Sequence, residues 1–510
     1  MENSSLEIIS KKSNIINFSE YYKKTIESLK YPIKTQNELF ANIKNYLKDT
    51  KIYKDLKIDK IDNYHELVKK IPTNEYAFYE EYINNIIAGE ENYLFKGKPK
   101  YYIMTSGTTN ANQKIIPYSE KMLDEFKLFQ LDFMSIITEI LPSINLNSAS
   151  LSLGAKSVTN FINNIPLGYL SGLLAQNPES IEKNNHYPSN KTLNLDDYSE
   201  KFQNIILETI DKDIEIISGI PSQILFLLNE LINKSGKKKI SEIWPNLSSI
   251  IYGGTAVENH IQAINQIVGK ELLFLGLYFA TECPIACQIP TISSNIKDYY
   301  PLFKHALFSF SDPDHPSKAP LAVDEVQLGG EYIINISNYN GFFQYNMKDI
   351  VKITQIEPYF GMQIIGREGL NLNISAERVS YISIIEAIAQ FKNEVTSDLE
   401  HFFVYPVIEE NSAFYKWILF SDNLKDTEEN KLANILDEIL INQCVRYKEC
   451  RKDYKLINFP TVKIVPKYLS SNFFNKNIDK GQFKMRTIFK SENEFVEYAK
   501  NNIPDLEKYL

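Results

Sequence analysis

The chain has 510 residues, of which 44% are hydrophobic and 12% aromatic, so it can bury a large core, and its length favours two or more domains. Its 55 basic residues are outnumbered by 64 acidic ones, which gives a net charge of −9 and a pI near 5.5. This balance excludes an overall basic surface that would hold nucleic acid or anionic lipid, and it favours small-molecule partners.

Cysteine usage and the first residues indicate the compartment. Four cysteines are too few for a disulfide framework in so long a chain, and none of their spacings is the two-residue gap typical of zinc sites. The opening MENSSLEIISKKSNIINF has no apolar signal segment, and no later stretch stays apolar for the ~18 residues of a membrane-spanning helix. We therefore expect structural thiols in a soluble, cytoplasmic protein with no membrane partner.

The pattern of elements changes along the chain. Helical periodicity in YHELVKKI and EYAFYEEYINNIIA predicts a helical lead-in over residues 1–100. From residue 101 to about residue 366, short apolar runs alternate with amphipathic segments, and LSSIIYGGTAVENHIQAINQIVG is typical of a strand, a glycine turn and a helix. This alternation predicts an α/β core.

A strand, a helix and further strands follow Arg367, in HFFVYPVI, NKLANILDEILINQCVRY and TVKIVPKYL. That order is typical of an α+β domain. We place the boundary at residues 367–371, which predicts an N-terminal domain over residues 1–368 and a C-terminal domain over residues 369–510.

The segment TSGTTNANQKIIPYS, residues 105–119, has the composition of a phosphate-binding loop. Its glycine lets backbone N–H groups turn toward phosphate oxygens, and Lys114 supplies a positive charge. The spacing is not that of a Walker loop, and such a turn by itself is more often only a loop. The candidate phosphate ligands are Thr105, Ser106, Gly107, Thr108, Thr109 and Lys114.

Three later segments supply the other parts of an adenylating enzyme. YFATECPIACQ offers Tyr278, which could stack on adenine, and Glu282, a carboxylate suited to magnesium beside phosphates. FQYNMKDIVKIT places Asp349 at a strand-like run, where it can accept both ribose hydroxyls. IIGREGLNLNISAERVS offers Arg367 at the domain junction.

These blocks, in this order, resemble the adenylate-forming superfamily, and most closely its plant auxin and jasmonate acyl-acid amido synthetase branch. Two segments favour that branch: DKGQFKMRTIF is similar to its terminal Gly-Gln-Tyr-Lys-x-Pro-Arg segment, and YGGTAVE stands where its Gly-Thr segment does. The resemblance spans residues 101–489. It implies a large multi-sheet α/β N-terminal domain followed by a smaller, mobile α+β C-terminal domain.

The resemblance also gives individual residues a role. The loop from Thr105 to Thr109 would hold the phosphates, and the segment SGIPSQILFLLNEL would lie near the acyl pocket. The other residues implied at the nucleotide are Gly254 and Thr255 near adenine or the adenylate, Tyr278 against adenine, Thr281 and Glu282 at the phosphates or magnesium, Asp349 at the ribose, and Lys484 as a mobile catalytic lysine.

The sequence departs from the family pattern at two places. YNMKD, residues 345–349, stands where the family reads Tyr-Arg-x-Gly-Asp, so an arginine and a glycine are replaced. Met485 replaces the usual proline before Arg486. Asp349 and Lys484 themselves are retained.

Structural alternatives exist for each residue. Glu282 could be a surface carboxylate at a helix start, Asp349 could cap a turn, and Lys484 could be a solvated surface charge. Cys283 and Cys287 could share a helix face as metal ligands, although no further ligand with suitable spacing follows. No histidine falls in a nucleophile motif, which disfavours a hydrolase triad.

The expected activity is that of an ATP-dependent, magnesium-using ligase. It would convert a carboxylic acid to its acyl-adenylate, releasing pyrophosphate, and then pass the acyl group to an amine, expected to be an amino acid, releasing AMP. Two alternatives remain open: an acyl-CoA ligase or stand-alone adenylation enzyme, and a non-catalytic nucleotide-binding or interaction protein.

Overall fold

The computed structural model describes residues 17–105, 114–142, 144, 148–176, 185–254, 257–315, 317–368, 372, 374–375, 377, 379–395, 398–409, 412–425, 428–453, 455–477 and 486–509. The chain divides into two units. The first comprises Met1–Met347 and Val351–Ile364, and the second comprises Lys348–Ile350 and Ile365–Leu510.

Helices fill the beginning of the first unit, as the periodicity predicts. The side chains of Asn17 and Asn63 cap two of them by accepting backbone N–H bonds, and Pro32 occupies a first turn, where no donor is needed. No helix in the described ranges is long and apolar enough to cross a membrane. The helices up to the first strand are Phe18–Lys30, Pro32–Tyr46, Lys51–Asp55, Tyr64–Lys70 and Tyr76–Ile87, with a 3₁₀ turn at Ile58–Lys60.

The later helices of the first unit alternate with strands. Ser119 caps the longest of them by accepting the N–H of Met122, and Gly236 ends another in the left-handed conformation. These helices are Glu120–Ile140, Leu170–Ala175, Asn190–Leu193, Tyr198–Thr209, Pro221–Ser235 and Glu258–Val268, with a 3₁₀ turn at Ile240–Glu242.

The strands, numbered in chain order, are β1 (Tyr101–Met104), β2 (Ile115–Tyr118), β3 (Ala149–Ser152), β4 (Asn160–Ile162), β5 (Ile165–Tyr169), β6 (His186–Tyr187), β7 (Ile214–Gly219), β8 (Ser249–Gly253), β9 (Leu273–Phe279), β10 (Pro284–Cys287), β11 (Tyr300–Pro301), β12 (Leu307–Ser311), β13 (Glu331–Ser337), β14 (Tyr345–Gln355), β15 (Gly361–Arg367), β16 (His401–Ile408), β17 (Ala413–Phe420) and β18 (Thr461–Val465).

The first unit is built on a seven-stranded sheet in the order β11-β10-β9-β8-β7-β3-β6. The pairs β6/β3, β3/β7, β7/β8 and β8/β9 are parallel, and β10 returns antiparallel to β9. The predicted strand, glycine turn and helix correspond to β8 and the helix Glu258–Val268. Because the parallel strands run the same way, their carboxyl ends meet at one edge of the sheet, where ligands bind in such folds.

Two four-stranded sheets accompany the central one, in the orders β2-β1-β5-β4 and β12-β13-β14-β15. The first joins β1 to β2 antiparallel and β1 to β5 parallel. In the second, β12 is buried along its whole length, and this includes its two serines, Ser309 and Ser311. The predicted multi-sheet α/β core is therefore confirmed.

The second unit has the predicted α+β character. Its sheet is β16-β17-β18, with β16 antiparallel and β18 parallel to β17. Alternate residues face opposite sides, so Trp417 packs in one apolar cluster and Ile418 in another. The helices are Tyr381–Glu394, Glu429–Gln443, Val445–Lys448, Tyr468–Asn477 and Glu492–Asn502, with a π turn at Glu449–Asp453 and a 3₁₀ turn at Pro504–Lys508.

A buried ion cluster crosses the core of the first unit. Glu125 Oε2 lies 3.0 Å from His305 Nδ1, and Asp132 Oδ2 lies 2.8 Å from His305 Nε2. Lys121 and Lys304 pair with the same two carboxylates at 2.9 and 2.8 Å. Burial alone would lower the pKa of His305, but its bonds to Asp132 and Glu125 outweigh burial and raise that pKa. The two carboxylates therefore favour the protonated form of His305.

His305→Gln should lower the free energy of unfolding by about 3–5 kcal/mol, because it leaves buried carboxylates without their partner. Because the pKa of His305 is higher in the folded than in the unfolded protein, His305 contributes its full stabilisation below its unfolded pKa of ~6.5. This contribution is lost as the pH rises through the higher native pKa. Urea unfolding of both proteins between about pH 6 and 9 should show the deficit shrinking with pH.

The control is His65→Gln, which removes an exposed pair with Asp324 and should cost less than ~1 kcal/mol. A deficit for His305→Gln that stays constant over this pH range would contradict a charged His305.

Candidate active site

The predicted phosphate loop connects β1 to β2, and its two ends are fixed to each other. The N–H of Thr105 donates to the carbonyl of Lys114 at 3.0 Å, and the N–H of Lys114 donates to Thr105 Oγ1 at 3.2 Å. The antiparallel pairing of the two strands continues to this point. Ser106, Gly107, Thr108 and Thr109 lie outside the described residues.

Lys114, at the end of the loop, is connected by hydrogen bonds to Glu282, the predicted magnesium ligand. Its Nζ donates to Tyr345 Oη at 3.3 Å, and Tyr345 Oη donates to Glu282 Oε1 at 2.8 Å. The ammonium also lies 4.9 Å from the centre of the Tyr76 ring, within the range of a cation–π contact. The structure therefore brings Thr105, Lys114 and Glu282 together through a tyrosine.

Glu282 lies in the turn between β9 and β10, where the N–H of Ala280 donates to the carbonyl of Cys283 at 3.0 Å. Asn338 Nδ2 donates to the carbonyl of Glu282 at 2.8 Å, and Tyr118 Oη donates to the carbonyl of Thr281. Only 8% of Glu282 is exposed. The alternative interpretation as a surface carboxylate at a helix start is therefore wrong.

One buried carboxylate, linked through Tyr345 to the lysine at the loop end, is compatible with Mg²⁺, which is commonly held by one or two carboxylates together with substrate phosphates. In the part of the chain that the structure describes, no three His, Cys, Asp or Glu side chains cluster to hold a metal.

Burial, followed by the charge of Glu282, raises the pKa of the Cys283 thiol. Cys283 and Cys287 are not on a helix but in the turn and on β10, and we interpret both as core residues.

The predicted adenine residues lie at the carboxyl edge of the parallel sheet. Gly253 pairs with Leu277, so Gly254 and Tyr278 follow directly at the ends of neighbouring strands. Gly254 has φ of +79°, a left-handed conformation that favours glycine. Thr255 lies outside the described residues.

Asp349 and Arg367 form a pair in the second unit. Arg367 Nη1 lies 2.8 Å from Asp349 Oδ1, and the carboxylate is much less exposed than the guanidinium. Lys348, which stands at the family's glycine position, has φ of +63°. The backbone thus keeps a conformation suited to glycine, at a cost of about 1–2 kcal/mol for a residue with a Cβ. Lys484 lies outside the described residues.

Three consecutive segments of the sequence match domains of one family. They are the GH3 family N-terminal domain over residues 22–219, the central domain over residues 299–367 and the C-terminal domain over residues 383–493. The chain belongs to the GH3 family. The predicted relationship is therefore confirmed.

Individual GH3 proteins resemble the chain over almost its whole length. It is 19% identical to the 4-substituted benzoates-glutamate ligase GH3.12 of Arabidopsis thaliana, over 94% of this chain and 96% of that protein. The solved structure of AtGH3.15 acyl acid amido synthetase in complex with 2,4-DB superposes with a TM-score of 0.76 at 14% identity, covering 95% of this chain and 96% of that one.

The fold extends beyond the GH3 family. A 2-hydroxyisobutyryl-CoA ligase, solved in the postadenylation state with 2-HIB-AMP, has a TM-score of 0.57 at 9% identity, covering 95% of this chain and 92% of that one. Adenylate-forming ligases use ATP. The family assignment comes from the matched sequence segments, since similarity at such low identity establishes fold alone.

Sequence reasoning missed Tyr345 as a partner of Glu282. The tyrosine is 63 residues from Glu282 and 231 from Lys114, so no local pattern connects them. The available signal was its place in the string YNMKD, four residues before Asp349.

Tyr345→Phe should lower the free energy of unfolding by about 1–3 kcal/mol, because it removes a donor from a buried carboxylate. The loss should be smaller in a Glu282→Gln background, where the acceptor is neutral, and thermal or urea unfolding of the four proteins measures this coupling. Tyr79→Phe, which loses bonds to the backbone of Phe343, is the matched control. Equal losses from Tyr345→Phe in both backgrounds would refute a charge-assisted bond.

Proposed function

We propose that this GH3 protein is an ATP-dependent ligase that adenylates a carboxylic acid and transfers the acyl group to an amine, with an amino acid as the expected acceptor. The carrying observation is the hydrogen-bonded series of Lys114, Tyr345 and Glu282 at the base of the phosphate loop. This series supports the proposal because it links a cation at the loop end to a buried carboxylate, and phosphates bind cations while magnesium binds carboxylates. The named activity of GH3.12, joining a benzoate to glutamate, supports the same reaction class.

In the first step, one oxygen of the substrate carboxylate attacks the α-phosphorus of ATP. The bond from that phosphorus to the oxygen bridging to the β-phosphate breaks, and pyrophosphate leaves. We assign charge stabilisation to the loop over residues 105–109, to Lys114 and to Lys484. A magnesium ion held by Glu282 and phosphate oxygens would neutralise negative charge on the triphosphate.

In the second step, the amine nitrogen attacks the carbonyl carbon of the acyl-adenylate. The carbon–oxygen bond to the phosphate breaks, AMP leaves, and the nitrogen loses a proton. Gly254 and Thr255 are assigned to adenine or the adenylate, Tyr278 to adenine, and Thr281 to the phosphates or magnesium. Asp349 is assigned to the ribose hydroxyls. The Arg367 guanidinium, which pairs with the Asp349 carboxylate, would orient it for this contact.

The chain would use its C-terminal part as a switch between the two steps. We place the domain boundary at residues 367–371, so that Lys484 and the phosphate loop stand on opposite sides of it in the sequence. A rotation about this hinge would bring Lys484 to the α-phosphate for adenylation and remove it for amide formation.

The reaction assay is direct. Purified protein should release pyrophosphate and AMP from ATP only with magnesium and a suitable acid, and an amino acid should then yield an amide of the expected mass. Coenzyme A in place of the amine tests the acyl-CoA ligase alternative. Formation of ADP and phosphate across a broad acid screen would overturn adenylation, and absence of any acid-dependent AMP would favour the non-catalytic alternative.

Lys484→Ala should slow adenylation by about 100- to 1,000-fold, the scale for losing one transition-state donor, with little change in ATP binding. A synthetic acyl-adenylate supplied to the variant should still react with the amine near the normal rate, because the lysine is not needed in that step. Lys490→Ala, an exposed lysine nearby in sequence, is the matched control. Equal loss in both half-reactions would remove the switch from the mechanism.

A further inference from the structure

A buried hydrogen-bond network lies beside β8 and β9, near Gly254 and Tyr278 at their carboxyl ends. Gln288 is 4% exposed, and its Oε1 accepts the N–H of Gly276 at 2.6 Å. Its Nε2 donates to Tyr252 Oη at 2.7 Å and to the carbonyl of Ile296. One amide side chain thus connects β8, β9, β10 and the segment before β11.

The network continues to the ring of Tyr278 through a second tyrosine. The Tyr299 hydroxyl lies beside Gly276, where the Gln288 side chain also packs. The Tyr299 ring meets the Tyr278 ring edge to face, with centroids 6.5 Å apart and planes at 80°. Such pairs favour one ring orientation by their quadrupoles.

Close packing leaves this arrangement little freedom. A Cβ on Gly276 would lie 2.3 Å from Tyr299 Oη and 2.9 Å from Gln288 Cδ. Only glycine therefore allows both side chains to approach β9. Tyr252 also directly precedes Gly253 and Gly254, so the network holds the strand end as well as the ring.

We infer that Gln288 is a positioning residue which, through Tyr252 and Tyr299, fixes the Tyr278 ring and the Gly254 turn for recognition of the adenine base. This inference rests on the proposed function, because it takes Tyr278 to be the residue that flanks adenine. It adds to the site a group of residues that would not touch the nucleotide. Their effect should therefore appear in the choice and affinity of the base rather than in the chemistry at the phosphates.

The test compares Tyr299→Phe with Tyr64→Phe. Tyr64 is fully buried in the same unit, and its hydroxyl donates to the carbonyl of Phe308 and accepts the N–H of Val323. The control therefore loses the same chemical group at a site at least as buried. Calorimetry gives the Kd of AMP and GMP, and thermal unfolding gives the stability of each variant.

Tyr299→Phe should weaken AMP binding by roughly 3- to 10-fold, because the hydroxyl that packs beside Gly276 is lost, and reduce the preference for AMP over GMP. In turnover it should raise the KM for ATP with little change in kcat or in the KM for the acid. Tyr64→Phe should lose stability without changing either nucleotide affinity. Gln288→Leu should lower AMP affinity further, since it removes the three hydrogen bonds to Gly276, Tyr252 and Ile296.

Two results separate the failure of this inference from that of the proposed function. If the unaltered protein binds AMP and Tyr299→Phe binds it as Tyr64→Phe does, the network is only structural and the inference is overturned. If the unaltered protein binds no AMP, the proposed function itself is overturned, and with it this assignment.

Discussion

The hydrogen bond from Tyr345 to Glu282 is the contact on which the proposed chemistry of the first unit depends. A buried carboxylate loses its hydration, so it keeps its charge at acceptable cost only where donors face it. Tyr345 supplies a donor to Glu282, and Lys114 lies behind Tyr345 as a cation. The same lysine closes the base of the phosphate loop by pairing with Thr105. One chain of contacts thus links the loop to the turn between β9 and β10.

The parallel sheet supplies the other half of that arrangement. Because β7, β8 and β9 run the same way, glycine turns and aromatic side chains that are far apart in sequence collect at their carboxyl ends. Gly254 and Tyr278 reach this edge through register alone. Behind it, Gln288 satisfies the backbone of Gly276 and the hydroxyl of Tyr252, so the edge is supported by polar bonds as well as apolar packing.

At one departure from the family pattern, the backbone has a conformation that favours glycine. Lys348 stands at the glycine position of that pattern and has the left-handed conformation. Such strain persists only where surrounding contacts over-determine it, and the carbonyl of Lys348 accepts the N–H of Glu368 at 2.6 Å. The chain superposes on a GH3 structure although the two are only 14% identical. A fold tolerates most substitutions that preserve the burial pattern and the backbone hydrogen bonds.

Elements whose signals are local can be predicted from the amino-acid sequence alone. Apolar periodicity predicted the helices Tyr64–Lys70 and Tyr76–Ile87. The glycine after β8 predicted its turn. The changed order of strand and helix patterns after Arg367 predicted the α+β character of the second unit. Short motifs and a family resemblance also gave the reaction class, because a phosphate loop and its accompanying blocks are contiguous strings.

Which distant side chains meet depends on the three-dimensional fold. His305 is 173 residues from Asp132, Tyr345 is 63 from Glu282, and Gln288 is 36 from Tyr252. Local propensity and periodicity describe neighbours within a few residues, so they contain no information about pairs at these separations. The burial of Glu282, the raised pKa of His305 and the network behind Tyr278 arise from sheet register and helix packing, which bring distant segments within hydrogen-bond distance where water is excluded.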